Sequence, residues 1–261
     1  MMNFKLTALT LMLVSGLSFG QKVKYSKEEI KEMDNYMFEE MFTGFSPKKE
    51  TRILLKDATN IQGTARDVDR KKGQIYSVKV KSSSTGKDET FKAEDIAEMY
   101  LPVSGFEKGM RTANYFNKIN NWNRKSPSKI TSKDEVYLRN QTVSLKNKKA
   151  EKEYLMQLIN PDFSSLIEVY ADPVASETTG VSFSMGPISS PQVGGGVTKS
   201  FYVRKGDRVI WLKKADFEEN YNFLFGDNKE FMAKYPAESV KWEYFSWLVF
   251  QYTKMTEEAA G

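Results

Sequence analysis

The sequence predicts an α+β protein made of an N-terminal helix, a small β-barrel, and an antiparallel β-sheet module closed by C-terminal helices. Three observations predict it. Apolar residues recur at helical spacing from Ile30 to Phe42, and the period then changes to two between Thr51 and Pro102. After a second set of alternating segments, a wide aromatic stripe of helical period fills the C-terminal end.

The first twenty residues stand apart. Lys5 gives early positive charge, Leu6 to Leu17 is a short apolar stretch, and Ser18-Phe19-Gly20 puts small residues where a signal peptidase needs them. The stretch is shorter than the roughly 20 apolar residues of a membrane-spanning helix. Cleavage is expected between Gly20 and Gln21, with an exported product in the periplasm or associated with the outer membrane. With no cysteine anywhere, neither a lipoprotein anchor nor a disulfide is available, so stability must come from a packed core. Removing the signal takes 39 basic residues to 38 against 34 acidic ones, a mild excess that reads as a solvated surface.

The expected organisation is a signal peptide at 1–20, a helix-plus-barrel module at 21–102, a connector at 103–134, and a sheet module with helices at 135–261. The first helix starts at Ser26, which forms a capping box with Glu29. It continues through Ile30, Met33, Met37, Phe38, Met41 and Phe42 until Gly44 and Pro47 stop it. Thr51 to Lys56 is a strand, Asp57 to Asn60 a turn, and Ile61 opens a second strand. Tyr76, Val78 and Val80 alternate with Ser77, Lys79 and Lys81 as a half-buried strand. Ser82 to Lys87 is a hairpin tip, Ala93 to Ile96 one helical turn, and Met99 to Leu101 a last short strand. So many short strands in about fifty residues predict a small, strongly bent barrel.

Ile53-Leu54-Leu55-Lys56-Asp57 through Gly63, with Asp69 beyond, resembles the strand-turn-strand opening of Sm-like and SH3-like barrels. The resemblance implies the fold and a glycine, Gly63, where the second strand bends. RNA-binding Sm proteins carry an apolar-Asn pair after the acidic residue, but this chain reads Arg70-Lys71-Lys72. No RNA-binding residue carries over, and no nucleic-acid partner is expected.

In the connector, Met110, Ala113, Phe116 and Ile119 mark a helix between Glu107 and Trp122. Strands return at Val136, then at Tyr154 to Ile159, Leu166 to Tyr170, Val181 to Met185, Ser200 to Arg204 and Val209 to Leu212. Gly186 to Val197 reads as a mobile loop. Helices follow at Phe217 to Leu224, at Phe231 to Tyr235, and at Val240 to Met255. Met156 to Pro161, Ile167 to Tyr170, Phe201 to Asp207 and Leu212 to Asp227 together resemble a family of small exported Bacteroidetes proteins. Members often carry a cysteine just after Asp227, where this chain has Asn228. The resemblance implies export and brings no active site with it.

The absence of histidine and cysteine removes Ser-His-Asp and Cys-His catalysis and the familiar zinc sites. Gly194 to Ser200 ends in Lys-Ser but has Thr198 where a phosphate loop needs glycine. Ser126-Pro127-Ser128-Lys129 fits SxxK, as does Ser46-Pro47-Lys48-Lys49, without the companion motifs. Asp67 and Asp69 are followed by Lys71 where calcium needs an oxygen. Glu94, Asp95 and Glu98 form no recognisable glycosidase pair. No catalytic residue, cofactor or metal is expected. Among the aromatics, Trp211 and Trp242 read as core. Trp247 lies off the main stripe and is the candidate binding residue. The expected function is non-catalytic binding or scaffolding of an envelope protein or cell-wall component. The alternatives are a carboxylate-dependent glycan-acting enzyme and, behind it, nucleic-acid binding through the barrel.

Overall fold

The computed structural model describes residues 23–33, 35–116, 133–176, 184–185, 188–189 and 197–261. The Gly20–Gln21 cleavage point, Trp122, the Ser126–Lys129 motif and the Gly194 to Gly196 run lie outside these residues, as do Ile119 and Val181. Helix α1 (Lys27–Met33) begins at its capping box. The Glu29 amide donates to Ser26 Oγ at 3.0 Å, and the Ser26 amide donates to Glu29 Oε2 at 2.8 Å.

The helix is shorter than its apolar spacing predicts. Ile30 is 53% exposed, and Met37 to Gly44 is not helical. The reason is tertiary. Tyr36, Phe38 and Met41 pack on the C-terminal core, whereas Phe42 and Phe45 pack on the barrel core. One helical face cannot reach two cores that an extended strap can. The strap's polar groups are matched one by one: the Glu39 amide donates to the Ile159 carbonyl at 2.7 Å. The Gln157 side chain then accepts from the Phe42 amide at 3.1 Å and donates to the Glu40 carbonyl at 2.9 Å.

Strands β1 (Glu50–Leu55), β2 (Asn60–Lys71), β3 (Gln74–Ser82), β4 (Asp88–Lys92) and β5 (Ile96–Pro102) occupy the segment of period two. Helix α2 (Gly105–Phe116) follows, then β6 (Glu135–Val143) and β7 (Lys152–Gln157). The ring runs β2-β1-β5-β6-β7-β3 and closes back onto β2, giving six strands, with β4 attached to β3. Closure therefore draws on β6 and β7, from beyond the segment whose turns predict a barrel. Strand β2 serves both sides of the bend: residues 60–64 pair with β1 and residues 63–71 with β3. Gly63 stands at the changeover, facing Thr51 on one side and Ser82 on the other. A β-carbon there would lie 2.1 Å from the Lys81 carbonyl oxygen, so only glycine permits the approach.

The alternation in β3 slips once. A bulge between Asp69 and Arg70 skips Tyr76, so Ile75 turns inward and Tyr76 is 50% exposed, with Lys71 Nζ 3.3 Å from its ring centroid. Val78 and Val80 are fully buried, as the alternation predicts.

The second sheet orders β8 (Ile167–Ala171), β11 (Ser200–Lys205) and β12 (Arg208–Lys213) as β12-β11-β8; β9 (Ser184–Met185) and β10 (Ile188–Ser189) form a separate pair. Ile167, Val169, Val203, Ile210 and Leu212 face helices α3 (Phe217–Phe225), α4 (Lys229–Lys234) and α5 (Phe245–Ala260) in the main core. The alternate residues Tyr170, Tyr202, Val209 and Trp211 face the other way, onto Val143, Met156 and Leu158 of the barrel strands and their continuation. The sheet is thus covered on both faces, and its period-two pattern is apolar on both. Arg139 of β6 ties the two sheets together, meeting Glu168 of β8 at 2.6 Å; Glu168 also accepts from the Tyr170 hydroxyl at 2.5 Å. Burial and this carboxylate push the Tyr170 phenol well above its ordinary range. Asn228 caps α4 by accepting from the Phe231 amide at 2.8 Å. Among the described residues no helix is long and apolar enough to cross a membrane.

Candidate functional site

Strand β12 is the outer strand of its sheet, and its outer edge is only partly covered. Asn147, on the turn after β6, imitates a neighbouring strand: its Nδ2 donates to the Trp211 carbonyl and its Oδ1 accepts from the Trp211 amide, both at 2.9 Å. Trp211 therefore points its backbone groups away from β11. In an antiparallel ladder that orientation repeats every second residue, so Val209 turns its N–H and C=O the same way. They face an open groove of about 770 Å³ lined by Thr142, Ser144, Asn147, Glu151, Asp207 and Val209, among others.

The turn that carries Asn147 is built for this task. Lys146 and Asn147 both adopt left-handed backbone angles, with φ of 57° and 53°. Asparagine tolerates that conformation better than most residues. The Lys146 amide donates to the Tyr202 hydroxyl at 3.3 Å, and burial pushes that phenol up to about 12. Asp172 anchors the strand from below. It is 5% exposed and accepts from Ser200 Oγ at 2.7 Å and from the Trp211 indole at 2.8 Å.

The groove walls are polar and of mixed sign. Lys205 is tied to Asp227 at 2.7 Å and to the Leu224 carbonyl at 2.8 Å, and Arg208 lies 4.6 Å over the Phe223 ring. Glu151 and Asp207 bring two carboxylates, but among the described residues no aromatic side chain lines the groove. Stacking a sugar ring needs such a face.

The residues singled out in the sequence do not meet here. Trp247 is 2% exposed, its ring 6.3 Å from Tyr36 and 5.5 Å from Phe250, so it offers no open face. Trp242, at 5% exposed, is core as its spacing predicts, and Trp211 is partly buried in the β7–β8 cluster. Glu94 pairs with Lys92 at 3.3 Å and Glu98 approaches Arg139 at 3.7 Å, each engaged locally. Lys49 of the Ser46 motif pairs with Asp134 at 3.1 Å. Asp67 and Asp69 lie on β2 opposite Lys79 and Ser77. Among the described residues no group of three or more acids could hold a metal ion. Sequence reading missed Asn147 and Asp172. An asparagine within a lysine-rich turn hints at the left-handed conformation, but its partner lies 64 residues away. No family model, curated protein or solved structure matches the chain, and the groove's geometry alone carries the functional reading.

Proposed function

We propose that the protein is exported, is cut between Gly20 and Gln21, and serves the bacterial envelope as a non-catalytic binding or scaffolding protein, like the exported Bacteroidetes family it resembles. Its occupant is an extended segment of an envelope protein or cell-wall-linked peptide, added as a strand along β12. The half-covered edge carries this reading: one backbone pair is capped by Asn147, and the next, at Val209, faces the groove. Strand addition takes its affinity from main-chain hydrogen bonds and its selectivity from the side chains around them. On the barrel, Arg52, Lys56 and Lys79 are each engaged by an acid, Glu135, Glu153 and Asp88, and these three pairs favour a protein partner over a nucleic acid.

V209P tests it. Proline removes the outward N–H and, since that group takes no ladder bond, leaves the β11–β12 pairing intact. Pull-down from envelope extract, read by mass spectrometry, is expected to recover a partner with wild type and lose it with V209P. Recovery of a lone monomer by the wild type overturns the proposal. Glu151 and Asp207 keep the glycan-acting alternative within the same experiment: turnover of envelope glycan that disappears in E151Q or D207N would replace the binding reading.

A further inference from the structure

The groove beside β12 has a second wall, and the barrel's own hydrogen-bond ladder supplies it. The Leu158 amide donates to the Tyr137 carbonyl at 3.0 Å, so Tyr137 turns its backbone groups toward β7. In an antiparallel ladder every second residue follows, and Arg139, Gln141 and Val143 face β7 in the same way. Leu138, Asn140 and Thr142 turn their backbone groups to the opposite side, toward β5. The β5–β6 pairing ends where Glu98 meets Arg139. Beyond it the Asn140 side chain reaches back to the Ala93 and Ile96 carbonyls, both at 3.0 Å. Thr142 lies past the end of β5. Among the described residues nothing bonds its outward N–H and C=O, and Thr142 is exposed and lines the groove.

The two free edges open on one side of the molecule. Strands β6 and β7 pack on the second sheet through Val143, Met156, Tyr170 and Tyr202. Strand β6 crosses that sheet obliquely: Arg139 meets Glu168 of β8, whereas Asn147, just past the strand's end, meets Trp211 of β12. Strand β7 lies on the Tyr170 side of this diagonal, where its continuation at Leu158 bridges Tyr170. Val209, paired with Arg204, lies on the other side, the side that Thr142 faces. Packed sheets stand about 10 Å apart, close to two strand spacings of about 4.8 Å. One extended chain laid between the edges therefore reaches both. We propose that the groove takes a single all-L protein segment as a strand shared by the two sheets, bonded to Val209 on one side and to Thr142 on the other. This rests on the strand-addition reading of the groove and names its partner. A chain of L residues turns its N–H and C=O pairs alternately to opposite sides, one residue to each edge. Residues that are γ-linked or of D configuration break that alternation, so the occupant is an envelope protein and not a cell-wall peptide.

T142P is the discriminating variant. Proline removes the outward N–H of Thr142 and takes no bond from the β6–β7 ladder, and circular dichroism is expected to match wild type. The partner captured from envelope extract is titrated against wild type, V209P and T142P. T142P is expected to weaken binding about five-fold, the effect of one backbone hydrogen bond. Undiminished binding by T142P together with loss in V209P overturns the shared strand and leaves the one-edged reading of β12 standing. Capture of no partner by wild type overturns both, and capture of a cell-wall peptide overturns the protein occupant. Amide hydrogen exchange in the wild type, read by NMR, decides the same point without a substitution. In the free chain the Thr142 and Val209 amides are expected to exchange fast and those of Gln141 and Ile210 slowly. Both edge amides are expected to slow when the captured partner is added. A Thr142 amide already slow in the free chain, or one that stays fast while Val209 slows, overturns the proposal.

Discussion

Replacing Asn147 with alanine removes two hydrogen bonds and leaves a β-carbon in a left-handed backbone conformation. The two bonds, each 2.9 Å, join the side chain to the Trp211 amide and carbonyl. They are solvent-exposed, so water replaces them in part, and together they contribute about 1 kcal/mol, the low end for such bonds. Alanine at a φ of 53° adds about 1 kcal/mol more. N147A is therefore expected to lose about 2 kcal/mol of folding stability. Glycine loses the same bonds without the steric penalty, so N147G is expected to lose about 1 kcal/mol. Urea unfolding of both variants separates the two contributions. Binding should move the other way. With Trp211 uncapped, a docked strand gains two backbone partners, and affinity for an extended peptide is expected to rise about five-fold. The reasoning fails if N147A matches wild-type stability, or if N147G unfolds more readily than N147A.

Other expectations follow from burial and close approach. In G63A the new β-carbon meets backbone 2.1 Å away, which no side-chain rotation relieves. A loss of about 3 kcal/mol is expected in urea unfolding, and wild-type stability would contradict the close approach of β2 and β3. D172A strands the Ser200 hydroxyl and the Trp211 indole around a site 5% exposed, and is expected to cost about 3 kcal/mol. D172N keeps an acceptor and should cost less, and equal losses would show that the hydrogen bonds are not what matters. Burial holds the Glu39 carboxyl above its ordinary value of 4.5, outweighing the hydrogen bond and charge of Lys133. Its stability contribution is thus full when it is protonated, below about pH 4.5, and is lost as pH rises through the elevated folded value. E39Q, which cannot ionise, should gain stability relative to wild type as pH climbs from 4 to 7. A constant difference in chemical unfolding would mean that Glu39 titrates alike in the folded and unfolded chain, and a difference that shrinks with pH that the ionised form is the favoured one.

Part of this protein is decided locally, and that part is legible in the chain. The Ser26–Glu29 cap, the Asp57 to Asn60 turn, the Lys71 to Gly73 turn and the Lys205 to Arg208 hairpin each depend on neighbours within a few residues. Alternation predicts the buried positions of β3 as far as the Tyr76 bulge, and the aromatic spacing predicts the core face of α5. Gly63 announces a bend because a missing side chain is visible in the sequence.

Tertiary structure decided where faces find partners. The Met37 to Phe42 stripe has helical spacing, but two cores divide it and draw it out into a strap. Trp247, off the stripe by period, is buried because that strap and Phe250 enclose it. The barrel closes on β6 and β7 through pairings with a partner about eighty residues away, Ile75 with Leu155. The groove exists because Asn147 caps one backbone pair of a strand far along the chain. Periodicity records which side of an element is apolar. It does not record what that side will touch, because contacts between distant segments are set by how all the cores fill at once.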